Sequence, residues 1–235
     1  MFCAPHTDMT SDIVFNVAGW AVWTGDAEAL SGTVNGLARS TASPTSLRRR
    51  VSACGRKALE AAWVVLPEDA APRLVLSSRH GEYQRTYGLL KSLAKDGSVS
   101  PAEFSLSVHH ALVGLLSIAT ANRAGHTAIA AGDESFAYGM LEAAVSVRQD
   151  HGPVLLIHFD EPLPECYGAV SEPDHPAMAL AILLSPGGDG EAVTMARIPE
   201  DSAGSDKGGA QDFLDFFVSG GAACRSGHWS WRRVA

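Results

Sequence analysis

Apolar positions along this chain switch between two spacings, and the switches mark the elements. Ile13 to Thr24, rich in Val, Phe and Trp, predicts extended structure broken near Gly19. Leu47, Val51, Cys54, Ala58 and Ala62 then recur at three- and four-residue steps. That spacing predicts one helix over Thr45–Trp63, with Thr45 or Ser46 at its cap. Arg73–Ser78 predicts a short strand bounded by Pro72 and Gly81. Glu82–Lys95 predicts a helix with Tyr83, Tyr87, Leu90 and Ala94 on one side. Ser100-Pro-Ala-Glu103 has the form of a capping box, with proline at the first helical position. The segment after it, Phe104 to Ala121, is apolar almost all round, which predicts a buried helix.

Strand Thr127–Ala131, helix Ser135–Gln149 and strand Pro153–Phe159 follow. This alternation implies parallel pairing and right-handed crossovers. Met178–Leu184 and Val193–Ile198 read as two more strands. The intervening Ser185-Pro-Gly-Gly-Asp-Gly190 predicts an antiparallel hairpin between them. A polar, Gly/Ser-rich link at 201–209 leads to a short amphipathic helix, Ala210–Val218, and a terminal strand or arm, Ser226–Arg233. The expected organisation is one α/β domain over 13–200, with the link, helix and arm at 201–235.

Composition narrows the function classes. The chain has 235 residues, room for one sizeable domain. Its formal net charge of -8 argues against a general nucleic-acid binder. No apolar run is long enough to span a bilayer, so no membrane span is expected. The N-terminal residues lack a signal-peptide pattern, which points to the cytoplasm. Cys3, Cys54, Cys166 and Cys224 are scattered without a C-x-x-C pair, so reduced thiols are expected rather than a zinc ribbon. His80, His151, His158 and His175 show no ligand spacing with acidic neighbours. Gly187-Gly-Asp-Gly190 is not a phosphate loop. No cofactor and no metal is expected.

Candidate chemistry gathers at one turn. His126 to Ala144 reads as a strand, a tight turn at Gly132 and an amphipathic helix. A turn at a helix N-terminus favours negative charge, and acyl-transfer enzymes place nucleophiles there. The turn offers Asp133, Glu134 and Ser135, and no cysteine. Asp133 or Ser135 reads first as a helix cap. Ser135 as a hydrolase nucleophile fails the G-x-S-x-G pattern, because Ala137 replaces the second glycine. His109 and His110 are adjacent, so their side chains diverge and do not share a face. His109 is the candidate to line an acyl pocket near the turn. Asp160-Glu161 reads as solvated loop carboxylates. Arg48, Arg49, Arg50, Arg56 and Lys57 form a basic cluster on one helix of an acidic protein.

Several of these segments together carry a resemblance. Ser46-Leu-Arg-Arg-Arg50, Gly55-Arg-Lys-Ala-Leu-Glu-Ala-Ala62, Ser78-Arg-His-Gly-Glu82, Phe104-Ser-Leu-Ser-Val-His109, the Ala-Ile-Ala-Ala-Gly132 segment and Asp160-Glu-Pro-Leu-Pro164 stand in order. The set resembles small beta-ketoacyl-synthase-like proteins, homologous to the N-terminal half of ketosynthases, from about Val14 to Trp231. Such proteins occur beside fatty-acid and aryl-polyene-type polyketide pathways. The resemblance implies half of a thiolase-like architecture, a mixed five-stranded sheet between helices, and a homodimer or a heterodimer with a ketosynthase. It places Asp133 at or beside the position of the ketosynthase cysteine. It also implies that the two catalytic histidines belong to a half that lies beyond this chain.

A condensing enzyme needs a thiolate to hold the acyl group and imidazoles to assist decarboxylation. The resemblance therefore implies a partner or scaffold comparable to a chain-length factor. Two alternatives stand beside it. One is an acyltransferase or hydrolase using Ser135 or Asp133. The other is an acyl-carrier-protein-binding module without chemistry, docking an acidic carrier protein through Arg48, Arg49, Arg50, Arg56 and Lys57.

Overall fold

A computed structural model describes residues 12–34, 43–168, 176–188, 190–199 and 209–234. Its centre is an eight-stranded mixed sheet in the order β3-β2-β4-β5-β1-β6-β8-β7. The strands are β1 (Ile13–Thr24), β2 (Arg73–Ser77), β3 (His126–Ile129), β4 (Val154–Asp160), β5 (Met178–Ser185), β6 (Glu191–Arg197), β7 (Ala223–Ser226) and β8 (Trp229–Arg233). The five strands expected are thus extended to eight. β2 pairs in parallel with both β3 and β4, and every other pairing is antiparallel.

Helices cover both faces. α2 (Ala53–Val65) and α5 (His110–Ala119) pack on one side, and α6 (Ser135–Asp150) and α7 (Gly209–Ser219) on the other. β5 shows how the sequence divides itself between them. Leu180, Ile182 and Leu184 point to the α6–α7 side, while Ala179, Ala181 and Leu183 point to the α2 side. The small alanines of β5 meet Ala58, Ala61 and Ala62 of α2, so helix and sheet approach closely. On the other face Phe136, Phe213 and Trp231 form an aromatic nucleus, with the Phe213 and Trp231 centroids 5.0 Å apart.

The hairpin expected between β5 and β6 does not form. β1 lies between them and pairs antiparallel with both. The connection crosses β1 where its register shifts between Val17 and Gly19. Gly190 makes this possible: its φ is +102°, and a Cβ there would sit 2.1 Å from the Val17 carbonyl oxygen. The terminal arm, by contrast, is a hairpin, β7–β8, that continues the sheet from β6.

Two long helices expected from periodicity are each broken. Thr45–Trp63 divides into α1 (Thr45–Arg48) and α2, because Ser52 caps α2 by accepting from the Gly55 N–H at 3.0 Å. Pro44 occupies the N-cap of α1 without a side-chain bond, so neither Thr45 nor Ser46 is that cap. Phe104–Ala121 divides into α4 (Pro101–Ser105) and α5. The capping box holds, with Ser100 accepting from the Glu103 N–H. Burial does not: only Leu112, Val113 and Leu116 of α5 are covered. Ile118 is 80 % exposed and Phe104 59 % exposed. α3 (Tyr83–Asp96) buries none of its residues, and with α4 it forms an arm carrying Leu90 and Leu93 in the open.

The Gly/Ser-rich link at 201–208 lies outside the described residues, as do Cys3 and His175. Cys54, Cys166 and Cys224 are free thiols. Among the described residues, no helix is long and apolar enough to cross a membrane.

Candidate functional site at the ends of the parallel strands

The C-terminal ends of β2, β3 and β4 lie side by side, because those strands run parallel. Open α/β sheets present ligands at such an edge. Three segments meet there: the loop 78–82 after β2, the turn 131–135 after β3, and Asp160-Glu161 at the end of β4.

The turn is closed by its own backbone and by Ser135. The Glu134 N–H donates to the Ala131 carbonyl, and the Ser135 N–H to the Gly132 carbonyl. The Ser135 hydroxyl donates to the Gly132 carbonyl at 2.6 Å and accepts from the Ala131 N–H at 2.9 Å. It is 1 % exposed. Its oxygen therefore faces the turn it closes. Glu134 occupies the N-cap of α6 and no side chain caps that helix, so neither Asp133 nor Ser135 does so. Asp133 points outward instead and forms an ion pair with Arg79 of the β2 loop.

Asp160 organises the facing loop. One carboxylate oxygen accepts from the Ser78 hydroxyl at 2.9 Å and from the Arg79 N–H at 2.8 Å. Ser78 in turn accepts from the Gly81 N–H at 2.7 Å. The other Asp160 oxygen lies 3.6 Å from His158 Nε2, and His158 Nδ1 lies 2.9 Å from the Ser77 hydroxyl. The expectation of solvated carboxylates at 160–161 is thereby corrected, and His158, passed over in the sequence, is central. Ser77, His158 and Asp160 are ordered like a hydrolase triad, but Ser77 is wholly buried. Gly139 of α6 presses on it so closely that a Cβ would sit 2.5 Å from that of Ser77. The trio braces α6 against β2 and β4. Burial lowers the His158 pKa, which keeps the ring neutral and able to share one proton with Ser77.

A second carboxylate brace ties α2 to the same loop. Glu82 is 2 % exposed and accepts from both the N–H and the hydroxyl of Ser52, each at 2.9 Å. Beside it, Glu161 is pushed up to about 7 by burial and then by the charges of Glu82 and Asp160. Glu161 and Cys54 line an open cavity of about 860 Å³ with Trp23, Tyr87, Leu163 and Cys166. Burial raises the Cys54 thiol pKa, so this cysteine is not an activated nucleophile.

His109 packs against the loop after β2. Its ring packs 3.2 Å from where a Gly81 Cβ would stand, and its buried Nε2 has no hydrogen-bond partner among the described residues. His110 diverges, as adjacency requires, and meets His126. The basic cluster is divided. Arg49 and Arg50 lie exposed between α1 and α2, and Arg56 is exposed on α2. The side chain of Arg48 lies outside what is described. Lys57 is engaged locally, donating to the Glu28 carbonyl at 2.7 Å and pairing with Glu60 at 3.5 Å.

Sequence reasoning reached the turn but missed the braces. Ser77 and His158 are 81 positions apart and sit inside strands, where no local spacing marks them. One signal was available: a polar pair inside otherwise apolar strands needs a buried partner. Among the described residues no group of three or more ligating side chains is placed to hold a metal.

A family model described as "Beta-ketoacyl synthase, N-terminal domain" matches residues 20–232. Among solved structures, a chain of the ketosynthase in complex with its chain length factor from Xenorhabdus doucetiae is 25 % identical with a TM-score of 0.76. The match covers 94 % of this chain and 99 % of that one. The ishigamide ketosynthase/chain length factor is 12 % identical, with a TM-score of 0.61 over 80 % of this chain and 68 % of that one. A type II polyketide synthase acyl-carrier protein in complex with its ketosynthase gives 13 % identity and a TM-score of 0.57, covering 74 % and 63 %. The last two likenesses show the fold alone. No curated protein matches the sequence. The fold is the thiolase-like α/β architecture that such neighbours share.

Proposed function

The chain belongs to the beta-ketoacyl synthase N-terminal domain family, and from that premise we propose that it is a ketosynthase-like partner subunit of fatty-acid or polyketide biosynthesis. In this reading it pairs with a condensing ketosynthase in the role of a chain-length factor, in an aryl-polyene-type pathway, and does not condense acyl groups alone. The observation that carries the reading is the turn 131–135. Where the resemblance places a thiol nucleophile, the chain has Asp133 tied to Arg79, and the neighbouring Ser135 hydroxyl is turned into the backbone. A carboxylate held by a guanidinium is a weak nucleophile, and no thioester forms on it.

Surface chemistry supports a partner. β3 is an edge strand of four residues, none buried, with its outer N–H and C=O groups unpaired among the described residues. Beside it a groove of about 380 Å³ is lined by Ile129, Tyr138, Leu141 and Val145. Ile118 and the α3–α4 arm add exposed apolar area of the kind that marks association surfaces. A second chain adding a strand to β3 satisfies the edge and covers the groove. The 25 % identical relative comes from a ketosynthase in complex with its chain length factor.

The test is reconstitution. A ketosynthase encoded beside this protein, purified alone and with it, is given malonyl- and acyl-carrier protein. The reading expects co-elution of the two chains on size exclusion and elongated product only from the pair. Separate elution, with equal product from the ketosynthase alone, contradicts it.

A further inference from the structure

Away from the strand-end site, two histidines face each other across an otherwise unremarked corner. His110 is the first residue of α5 and His126 the first of β3. Both are exposed. Their Nδ1 atoms lie 3.3 Å apart, and their ring centroids 5.4 Å apart with planes inclined at 53°. We propose that His110 and His126 form a two-imidazole chelate for a borderline divalent transition metal, such as Zn²⁺, Ni²⁺ or Cu²⁺.

The spacing carries the argument. Two bonds of about 2.0–2.1 Å leave their nitrogens about 3.3–3.4 Å apart at the tetrahedral angle of Zn²⁺ and about 2.8–3.0 Å apart at the right angle of tetragonal Cu²⁺ or Ni²⁺. The observed 3.3 Å has the tetrahedral span, and closing by about 0.4 Å reaches the tetragonal one. The two residues are fixed on different secondary elements, which limits the entropy lost on chelation.

Arg73 is the nearby cation that opposes a metal. Its charge is partly offset by Asp150 at 3.8 Å, and it donates to Thr127 at 3.3 Å. Among the described residues no third ligating side chain completes a set, so water fills the remaining positions. The proton balance is simple. A hydrogen bond between the two Nδ1 atoms in the free protein requires that one of them carry the proton. On binding, that ring shifts its proton to Nε2, both Nδ1 atoms bond the metal, and two metal-bound waters leave. Below the histidine range protons compete, and affinity falls.

The chelate bridges the start of α5 and the start of the edge strand, so it fastens the rim of the unpartnered face. It stands independently of the proposed partner role.

The experiment uses the full chain without an affinity tag, titrated with Cu²⁺ at pH 7.4. Electron paramagnetic resonance reads the number of imidazole nitrogens, and calorimetry reads affinity. The expected result is one tight site with two coupled nitrogens. His110→Ala and His126→Gln each weaken it about tenfold or more and leave at most one coupled nitrogen. His151→Asn, which keeps a residue tolerant of that position's left-handed φ of 50°, leaves it unchanged. Zn²⁺ competition displaces the same signal. A two-nitrogen signal that survives either His110→Ala or His126→Gln overturns the proposal, as does a single-nitrogen signal in the unaltered chain. Circular dichroism on each variant confirms that the fold is retained at these exposed positions.

Discussion

β3 and β4 flank the same strand, β2, in the same direction, yet they differ in almost every physical respect. β4 is Val-Leu-Leu-Ile-His-Phe-Asp, with six of its seven residues buried. β3 is His-Thr-Ala-Ile, with none buried. β4 finds β5 on its far side, α2 on one face and α6 on the other, all from its own chain. β3 has no strand beyond it among the described residues. The short polar edge keeps the free chain from being sticky, while the groove beside it keeps apolar surface in reserve. One flank stabilises the fold and the other is available for association.

Four substitutions and conditions probe that contrast, in falling order of effect. Leu156→Ala on β4 removes a fully buried side chain. It is expected to cost about 3 kcal/mol, or roughly 6–12 °C in thermal midpoint by calorimetry. An unchanged midpoint would mean that the β4 side is not the stabilising flank. Gly139→Val on α6 drives atoms into Ser77 at the brace. The expected loss is about 2–3 kcal/mol by urea titration, and tolerance of the valine would show that α6 does not rest on Ser77.

The third probe is pH. The Glu161 pKa is raised to about 7 in the fold, above its unfolded value, so the folded chain holds the proton more tightly. That stability is present at low pH and is lost as pH rises through about 7. His158 has the opposite sign: its folded pKa is lowered, so stability falls as pH drops below the unfolded histidine range. Glu161→Gln should therefore raise the thermal midpoint at pH 8 and change it little at pH 5. Equal shifts at both pH values would remove this account of Glu161. The smallest effect belongs to the open flank. Ile118→Ser is expected to change chain stability by less than about 0.5 kcal/mol while weakening partner association by about tenfold, read by titration of the partner. A large loss of stability would show that Ile118 is covered within the chain.

Much of the fold was legible because it is written in local periodicity. β4, β5, α6 and the capping box at Ser100 follow from runs and steps of a few residues. The order of strands was less so. Nothing local says that β1 slips between β5 and β6, because that pairing depends on Gly190 passing over Val17, more than 170 positions earlier. Phe104–Ala121 was misjudged for a different reason. Apolar composition alone does not fix burial, and Phe104 and Ile118 stand uncovered on this chain. The turn with Asp133 and Ser135 was legible as a strand–turn–helix, but the Arg79 ion pair was not, since it joins two loops across the sheet edge. The Ser77–His158–Asp160 brace was hidden by its placement within strands.

Intact-protein mass spectrometry after incubation with acyl-loaded carrier protein tests the central claim most directly. The account predicts that this chain keeps its unmodified mass while a co-incubated ketosynthase gains the acyl group. An acyl adduct on this chain, mapped by digestion to Asp133 or Ser135, would contradict it.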